Sequence, residues 1–331
     1  MIGLERQHTP IGAALRGGAF CVCLALVPLP VLAQTSPAAL LDEAGAAVST
    51  GRYVDALAAF TSAIAAAPDD AVAHTRRAQL FDQLGHYDLA AADYRVAAKA
   101  STTDASLHKS LCLDLALANH DLDGALAACN TAVQLAPGNV DALSARGYLQ
   151  LRRGAYAEAE KDYSATLALS PAAPSEMFGL GVAMIHLGKV KEGRGEIASA
   201  TLDSAGVVSD WQSRGFGMQG EIVPGKAKTT ASQPATSLKD PKVFLNKGET
   251  YVRLAGGCGR VAETSASDVG ASWSGECRFG LLHGAGKLTS SGVDGSSVRF
   301  AYGREIVGEA GSALEKKLSL AYQAAEEALT P

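Results

Sequence analysis

The sequence has few aromatic residues and no concentrated block of one charge. Aromatic side chains make up 6% of the 331 residues, and the formal net charge is −5 with 19% charged residues. A nucleic-acid-binding protein needs a concentrated positive surface, so this charge pattern argues against that class. Abundant alanine beside so few aromatic residues favours closely packed helices over an aromatic-rich β-sandwich.

The sequence also lacks a phosphate-binding loop, although one glycine-rich stretch invites that reading. A Walker loop requires G-x-x-x-x-G-K followed by Ser or Thr. In the stretch WSGECRFGLLHGAG, Gly280 and Gly286 are one residue too far apart, and Leu288 follows Lys287. The phosphate-loop interpretation therefore fails, and we interpret these glycines as turn residues.

No acid–base pair, catalytic triad or metal cluster is assembled in the sequence. A nucleophile pair of Cys277 and His283 would need a third orienting group, and none is nearby. His74, His108 and Cys112 are a weak metal set, since no fourth ligand is visible, and helix packing explains them better. We therefore predict that the chain is not an enzyme and has no cofactor and no metal.

The N-terminus has the pattern of a secretory signal peptide. Arg6 and Arg16 precede an apolar run of about a dozen residues, and small residues lead to a cleavage site after Ala33. An uncleaved anchor is the alternative. Removing residues 1–33 leaves a net charge of about −6, because two arginines and one glutamate are lost. The pattern predicts an exported chain, periplasmic or secreted, whose mature part has no transmembrane span.

Four cysteines remain after that cleavage. In an exported chain, four thiols allow two disulfides in three connectivities. Proximity in sequence favours Cys112 with Cys129 and Cys258 with Cys277, and buried free thiols are the alternative.

The clearest signal is a repeat of 34 residues. The segments GRYVDALAAFTSAIAAAPDD, GHYDLAAADYRVAAKASTTD and GAYAEAEKDYSATLALSPAA align on a glycine, a tyrosine, small residues and an aromatic residue. Five copies are expected, and the third is one residue longer, with the turn ANHD in place of the usual glycine. Their ranges are 37–70, 71–104, 105–139, 140–173 and 174–207.

This pattern resembles the tetratricopeptide repeat family, in which each repeat is a pair of antiparallel helices. The eighth residue of each first helix is small and lets the second helix approach closely. Those residues are Ala44, Ala78, Cys112, Gly147 and Gly181. Five such repeats exceed the number that a solenoid needs to bury a continuous core. The segment VVSDWQSRGFG then reads as a capping helix.

The resemblance implies a concave groove lined by fixed positions of the first helices. In the later repeats these are Lys109, Leu113, Leu117, Tyr148, Leu151, Arg152, Phe178, Val182, Ile185 and His186. Of the lysine and asparagine set that clasps a C-terminal carboxylate in some members, only Lys109 is matched. An apolar partner segment is therefore the expected guest. The alternative is that these residues pack against the chain's own C-terminal part.

The second half of the chain changes in composition. Residues 217–242 read as a flexible linker, because PGKAKTTASQPATSLKDPK has almost no large apolar side chains. Residues 243–309 carry short alternating segments with glycines between them, as expected of a small antiparallel β module. Residues 310–331 have apolar side chains at helical spacing and predict an amphipathic helix that caps the sheet, returns to the repeats or binds a partner, the first being the default.

Part of the β module resembles the MORN repeat, a β-hairpin. The matching residues are Trp273, Gly275, Glu276, Cys277, Gly280, Gly284 and Gly286. Cys277 departs from the pattern, because a large aromatic residue is usual there. Only one good copy is present, and a lone hairpin needs flanking strands to be stable in water.

Together these features predict a mainly α protein: a signal peptide (1–33), a repeat solenoid with a capping helix (34–216), a linker, a β module and a terminal helix. General resemblance leads us to expect an adaptor of the bacterial cell envelope that binds a protein segment of unknown identity. Two alternatives stay open. One is a self-associating scaffold, and the other is an envelope-modifying enzyme that uses Glu276 and His283.

Overall fold

The computed structural model describes residues 36–217, 220, 244–254, 258–262, 272–278, 281–290, 293–302, 304–305 and 308–327. The predicted signal peptide and nearly all of the predicted linker lie outside these residues. Among the described helices, none is long and apolar enough to cross a membrane.

Each predicted repeat contains two helices, and each first helix begins at or next to the predicted start. The first helices are α1 (Pro37–Ser49), α3 (Ala71–Gln83), α5 (Ala105–Ala118), α7 (Val140–Arg153) and α9 (Pro174–His186). The second helices are α2 (Tyr53–Ala66), α4 (Tyr87–Ala100), α6 (Leu122–Leu135), α8 (Tyr156–Leu169) and α10 (Val190–Asp203). A short helix, α11 (Val207–Ser213), follows them.

Local chemistry sets where these helices begin. The side chains of Asp70, Asp104 and Asn139 accept hydrogen bonds from backbone N–H groups in the first turns of α3, α5 and α7. These bonds satisfy donors that a helix end otherwise leaves unpaired. In the third repeat, Asn119 takes the left-handed conformation, with φ of 52°, that glycine supplies in the other repeats. Asparagine tolerates this conformation better than most residues, so the turn forms without glycine.

Small residues let the two helices of each repeat touch. Ala44, Ala56, Ala78 and Ala90 are completely buried in the first two repeats. In the fifth repeat, a Cβ on Gly181 would lie 2.6 Å from the carbonyl oxygen of Gly193. No side chain fits in that space, so the backbones themselves are in contact.

An ion pair between an arginine and a buried aspartate occurs at the same positions in the second and fourth repeats. Arg77 donates to both carboxylate oxygens of Asp93 at 2.7 and 2.8 Å and to the Thr61 hydroxyl of the preceding repeat at 3.0 Å. Arg146 donates in the same way to Asp162, at 2.8 and 2.7 Å, and to Asn130 of the preceding repeat. The arginine therefore ties its own second helix to that of the repeat before it.

The network in the second repeat also includes a buried histidine. The Nδ1 atom of His74 lies 2.8 Å from Asp93, and its Nε2 atom lies 2.9 Å from the Pro68 carbonyl oxygen. Burial lowers the pKa of His74, but its hydrogen bonds to Asp93 and Pro68 outweigh that effect, and the pKa is raised overall.

The C-terminal region forms a small sheet, as the alternating segments predict, but the sheet is mixed and not wholly antiparallel, because β2 pairs in parallel with β5. Its strands are β1 (Thr250–Arg253), β2 (Gly259–Ala262), β3 (Ser272–Trp273), β4 (Glu276–Arg278), β5 (Leu281–Ser290), β6 (Val293–Ala301) and β7 (Arg304–Glu305). The main path runs β1-β2-β5-β6-β7, with β3 and β4 also paired to β5. β4 and β5 form an antiparallel hairpin in which Cys277 lies opposite Leu282. The sheet's own core consists of Leu254, Cys258, Leu282 and Phe300, with Trp273 packed against it.

The final helix, α12 (Gly308–Glu327), lies between the sheet and the first repeat. It packs along α2, and the Lys317 ammonium lies 3.1 Å from the Asp55 carboxylate. On its other side, the Tyr322 ring stacks on Tyr302 with centroids 4.3 Å apart. The helix therefore contacts the sheet, the expected default, and also returns to the repeats.

A short segment in front of the sheet completes this contact. Phe244 is fully buried, and its ring centroid lies 5.8 Å from Phe81, 5.0 Å from His86 and 4.5 Å from Tyr322. Arg304 donates to the Phe244 carbonyl oxygen at 2.9 Å and pairs with Glu249. This aromatic wedge joins the end of the chain to the first two repeats.

The recurrent arginine gives a prediction about stability. Replacing Arg77 with alanine leaves the Asp93 carboxylate buried with only His74 beside it, so we expect a loss of about 3 kcal/mol in the free energy of unfolding. Arg95→Ala is the matched control, because the Arg95–Asp121 pair is about half exposed and such pairs contribute about 1 kcal/mol or less. Urea denaturation of both variants measures the difference, and equal losses would contradict this account.

Candidate binding groove

The first helices of the later repeats lie side by side, as a concave groove requires. α5 packs against α7, and α7 packs against α9. The predicted groove residues are carried by these three helices. α5 provides Lys109, Leu113 and Leu117; α7 provides Tyr148, Leu151 and Arg152; α9 provides Phe178, Val182, Ile185 and His186.

The chain covers part of this groove itself. We call residues 207–217, which comprise α11 and the turn after it, the cap segment. Its Trp211 ring stacks on Phe178 with centroids 5.2 Å apart and an interplanar angle of 19°. The Tyr148 ring lies 6.0 Å from Trp211 and 6.3 Å from Phe216, both in edge-to-face geometry. Apolar rings of the cap segment thus occupy the place expected for a guest.

Four of the predicted contact residues are buried as a result. Tyr148, Leu151, Phe178 and Val182 are at most 3% exposed. The cap segment removes their apolar surface from water, so the covering part is the predicted capping helix and the turn after it, and not the C-terminal part that the alternative named. Their contact with a partner stays a prediction.

The edge of the cap segment is also fixed to α9. The Nε2 atom of His186 lies 2.9 Å from the Gly220 carbonyl oxygen, and the His186 ring stacks on Tyr156 with centroids 4.3 Å apart. Ile185 packs closely on Gly220, since a Cβ atom on Gly220 would lie 2.9 Å from the Cδ1 atom of Ile185. Ile185 is therefore only partly exposed, whereas His186 stays exposed.

What stays open is a cleft where α5, α7, α9 and α11 meet, which we call the central cleft. Its volume is about 190 Å³. Leu113, Ala145, Tyr148, Tyr163 and Trp211 line its apolar part, and its polar part consists of Lys109, Asp141, Ser144, Ser175, Glu176 and Arg214. The open part of the groove is thus more polar than the sequence predicted.

The cations and carboxylates of this cleft are not equivalent. Arg214 pairs with Asp210 at 2.9 Å, and its guanidinium carbon lies 5.8 Å from the Tyr148 ring centroid and 5.7 Å from that of Trp211. Glu176 accepts a hydrogen bond from the Ser144 hydroxyl at 2.9 Å. Arg214 holds the cap segment against the aromatic side chains beneath it.

Comparison with known proteins agrees with this architecture. A family model described as tetratricopeptide repeat matches residues 41–105, 113–176 and 145–206. These residues are tetratricopeptide repeats. A comparison with curated proteins gives no match.

Several solved structures resemble the chain over about half of its length. A MamA protein is 17% identical, with a TM-score of 0.47, and covers 51% of this chain and 92% of its own. YrrB, described as a tetratricopeptide protein with an unusual peptide-binding site, is 18% identical, with a TM-score of 0.45 and coverages of 52% and 88%. A tetratricopeptide repeat protein from Parabacteroides merdae is 18% identical, with a TM-score of 0.47 and coverages of 55% and 72%.

Two carboxyl groups lie together between the second and third tetratricopeptide repeats. Asp114 is 1% exposed, and its Oδ2 atom has no hydrogen-bond partner among the described residues, while the partly buried Asp82 accepts from the Tyr94 hydroxyl at 3.4 Å. Burial, and then the neighbouring Asp82 carboxyl, raise the pKa of Asp114 far above its ordinary value. Burial also raises the pKa of Asp82. The pair therefore holds a proton at neutral pH.

The residues considered for metal binding are engaged elsewhere. Cys112 lies beside Cys129, with Cα atoms 5.2 Å apart, His74 belongs to the Asp93 network, and His108 lies 3.2 Å from the Thr102 carbonyl oxygen. Within the described part of the chain, no group of three or more His, Cys, Asp or Glu side chains is arranged to hold a metal ion.

The residues considered for an enzyme site do meet across the β4–β5 hairpin. Glu276 lies opposite His283 in the ladder, and the Tyr302 backbone N–H donates to His283 Nδ1 at 3.4 Å. Burial, and then the nearby Arg278 charge, lower the pKa of His283. Burial, and then the hydrogen bond to Glu326, raise the pKa of Tyr302 to about 12, so its hydroxyl is not activated as a nucleophile.

Sequence reasoning missed the polar wall of the central cleft. Asp141 and Ser175 occupy the second position of their first helices, and Ser144 occupies the fifth. These are groove positions in the tetratricopeptide pattern, so the register of the repeats was a sufficient signal. Trp211 fits the register of a sixth first helix, whereas Glu176 and Arg214 occupy no groove position of the pattern and lacked such a signal.

The buried carboxyl pair predicts an unusual pH dependence. The folded state holds the Asp114 proton to higher pH than the unfolded chain, so wild-type stability falls as pH rises above the ordinary pKa of 3.8. An asparagine side chain at this position can donate a hydrogen bond to Asp82 but does not titrate. We therefore expect the unfolding free energy of Asp114→Asn, relative to wild type, to increase steadily from about pH 4 upward.

Chemical denaturation at a series of pH values measures this difference. Asp69→Asn is the control, because Asp69 is exposed and its substitution should give a nearly constant difference. A difference for Asp114→Asn that stays constant with pH, or that falls as pH rises, would contradict the shared proton.

Proposed function

We propose that the chain is a non-enzymatic interaction scaffold that is exported to the bacterial cell envelope and binds a segment of a partner protein. The observation that carries this proposal is the central cleft. The cap segment covers part of the late repeats, and α12 covers α2. The central cleft stays open. An open groove between closed ends is a suitable place for one partner segment.

Of the predicted contact residues, Lys109 and Leu113 line the cleft, and Leu117 and Arg152 lie further along the same helices, α5 and α7. All four are partly exposed, whereas Tyr148 and Phe178 are covered. The Nε atom of Arg152 is buried and has no acceptor among the described residues. In this proposal the partner contacts the four exposed residues first, and it reaches the apolar residues beneath the cap segment only by displacing Trp211.

Export is proposed from the N-terminal pattern and from the cysteines. The structure is compatible with the predicted pairs, since the Cα atoms are 5.2 Å apart for Cys112–Cys129 and 5.9 Å apart for Cys258–Cys277. Both distances fall in the usual range for disulfides. Such bonds persist in oxidising compartments, so they fit a periplasmic or secreted chain.

The β module is proposed to orient the repeats or to provide a second contact. Its β4–β5 hairpin fits the MORN-like pattern in having paired strands at Glu276–Arg278 and Leu281–His283. Arg278 lies 3.2 Å from Glu326 of α12, so a partner bound to the hairpin would be linked through α12 to the first repeat.

Cross-linking in intact cells tests this proposal. A photo-reactive amino acid at Leu113 should give a specific cross-link to an envelope protein, and the same group at Leu202, which is 87% exposed on α10, should not. The charged substitution Leu117→Glu should reduce the cross-link from Leu113 about tenfold, as expected when a charge must be buried at an interface.

Two outcomes would contradict the scaffold proposal. One is a cross-link pattern that is the same at Leu113 and Leu202. The other is recovery of the chain only from the cytoplasm with residues 1–33 still attached.

A further inference from the structure

The central cleft contains one cation and two carboxylates that have no ion-pair partner among the described residues. The cation is Lys109 on α5, and the carboxylates are Asp141 at the start of α7 and Glu176 on α9. Lys109 is partly buried and Asp141 is exposed. They belong to neighbouring first helices, so both signs of charge are presented to one guest.

Arg214 and Glu176 already have polar partners. Arg214 is paired with Asp210, which partly neutralises its charge, whereas Glu176 keeps its charge and accepts a hydrogen bond from Ser144. Lys109 and Asp141 are therefore the groups from which a guest gains most by bringing an opposite charge.

A third unsatisfied group lies in the same wall. Trp211 is 1% exposed, and its indole N–H is buried without an acceptor among the described residues. An indole N–H only donates, so it calls for an acceptor such as a carboxylate or a carbonyl oxygen. Leaving a buried donor unpaired costs free energy, which a guest that accepts from it would restore.

The size of the cleft limits what enters it. About 190 Å³ is larger than the roughly 150 Å³ cavity that holds a benzene molecule, so one large side chain fits but a folded element does not. The rest of a bound segment would run over the partly exposed Leu113.

We infer that the central cleft binds a polypeptide segment that carries a carboxylate side chain and a cationic side chain near each other. The carboxylate accepts hydrogen bonds from Lys109 and from the Trp211 indole, and the cation pairs with Asp141. This inference rests on the proposed scaffold function and replaces an apolar guest by a charged one. Partner specificity would then depend more on the charge pattern of the segment than on its apolar area.

The test uses end-blocked octapeptide pools, so that side chains are the only charges. One pool fixes a glutamate and a lysine at every spacing and in both orders, and matched pools fix two glutamines or two leucines. Fluorescence anisotropy with the full chain should show about tenfold tighter binding of the charged pool, as expected for charge-assisted hydrogen bonds. That preference should weaken as salt is added.

Variants assign the effect to the cleft. Lys109→Ala and Asp141→Ala should each remove most of the preference for the charged pool, whereas Lys191→Ala, an exposed cation on α10, should not. When the charged pool is divided into two pools, one for each order of glutamate and lysine, the double variant Lys109→Glu with Asp141→Lys should favour the order opposite to that favoured by the wild-type chain. Circular dichroism checks that each variant is folded.

The outcomes separate this inference from the scaffold proposal. Tight binding of the leucine pool that is unaffected by the Lys109 and Asp141 variants would overturn the inference and leave the scaffold function standing. Equal binding of the charged and glutamine pools would also overturn the inference. Binding of no pool by the wild-type chain would count against both.

Discussion

Close contact between the two helices of each repeat is the constraint on which the rest of the structure depends. In the first repeats this contact is made by buried alanines, and in the fifth by Gly181 and Gly193, whose backbones touch. At 2.5 to 2.6 Å, a Cβ on either glycine would meet the other's carbonyl oxygen. Since interiors are close-packed, this approach fixes the angle between helices and therefore the curvature of the solenoid.

In the third repeat, the same small position holds Cys112, which faces Cys129 on the second helix. The second and fourth repeats have a different additional contact. Arg77 and Arg146 connect them by hydrogen bonds to the repeats before them. Packing sets the geometry within a repeat, and buried polar pairs set the register between repeats.

The solenoid uses its own chain to close both of its ends. Trp211 and Phe216 fill the apolar groove of the late repeats, while Phe244 and α12 cover the first two. A solenoid needs such coverage because its end repeats would otherwise expose apolar surface. The cost is that little of the concave face stays accessible. What does stay accessible combines Leu113 with unpaired charges, which favours recognition of a partner by its charge pattern over a purely apolar contact.

The repeat pattern made the helices predictable, because the period carries both the start and the register of each pair. The recurrent arginine network was predictable in principle, since Arg77 and Asp93 have the same spacing as Arg146 and Asp162. The position of Phe244 was not, because it depends on contacts with Phe81 and Tyr322 that are distant in sequence.

The candidate site was likewise predictable from the sequence only in part. The register of the repeats placed Lys109 and Leu113 on the concave side, and they line the cleft. It also placed Tyr148 and Phe178 there, but it carried no information on the aromatic side chains that would cover them. Whether a groove is open depends on how the following segment packs, and the periodicity that predicts a capping helix there does not predict its contacts.

The central claim is that Trp211 closes the late groove, and its environment is directly measurable. The chain has two tryptophans, so Trp273→Phe leaves Trp211 as the only indole fluorophore. Because Trp211 is 1% exposed, we predict a blue-shifted emission that iodide hardly quenches. Emission at the wavelength of a hydrated indole, with quenching like that of a free tryptophan amide, would show an open groove and contradict the account.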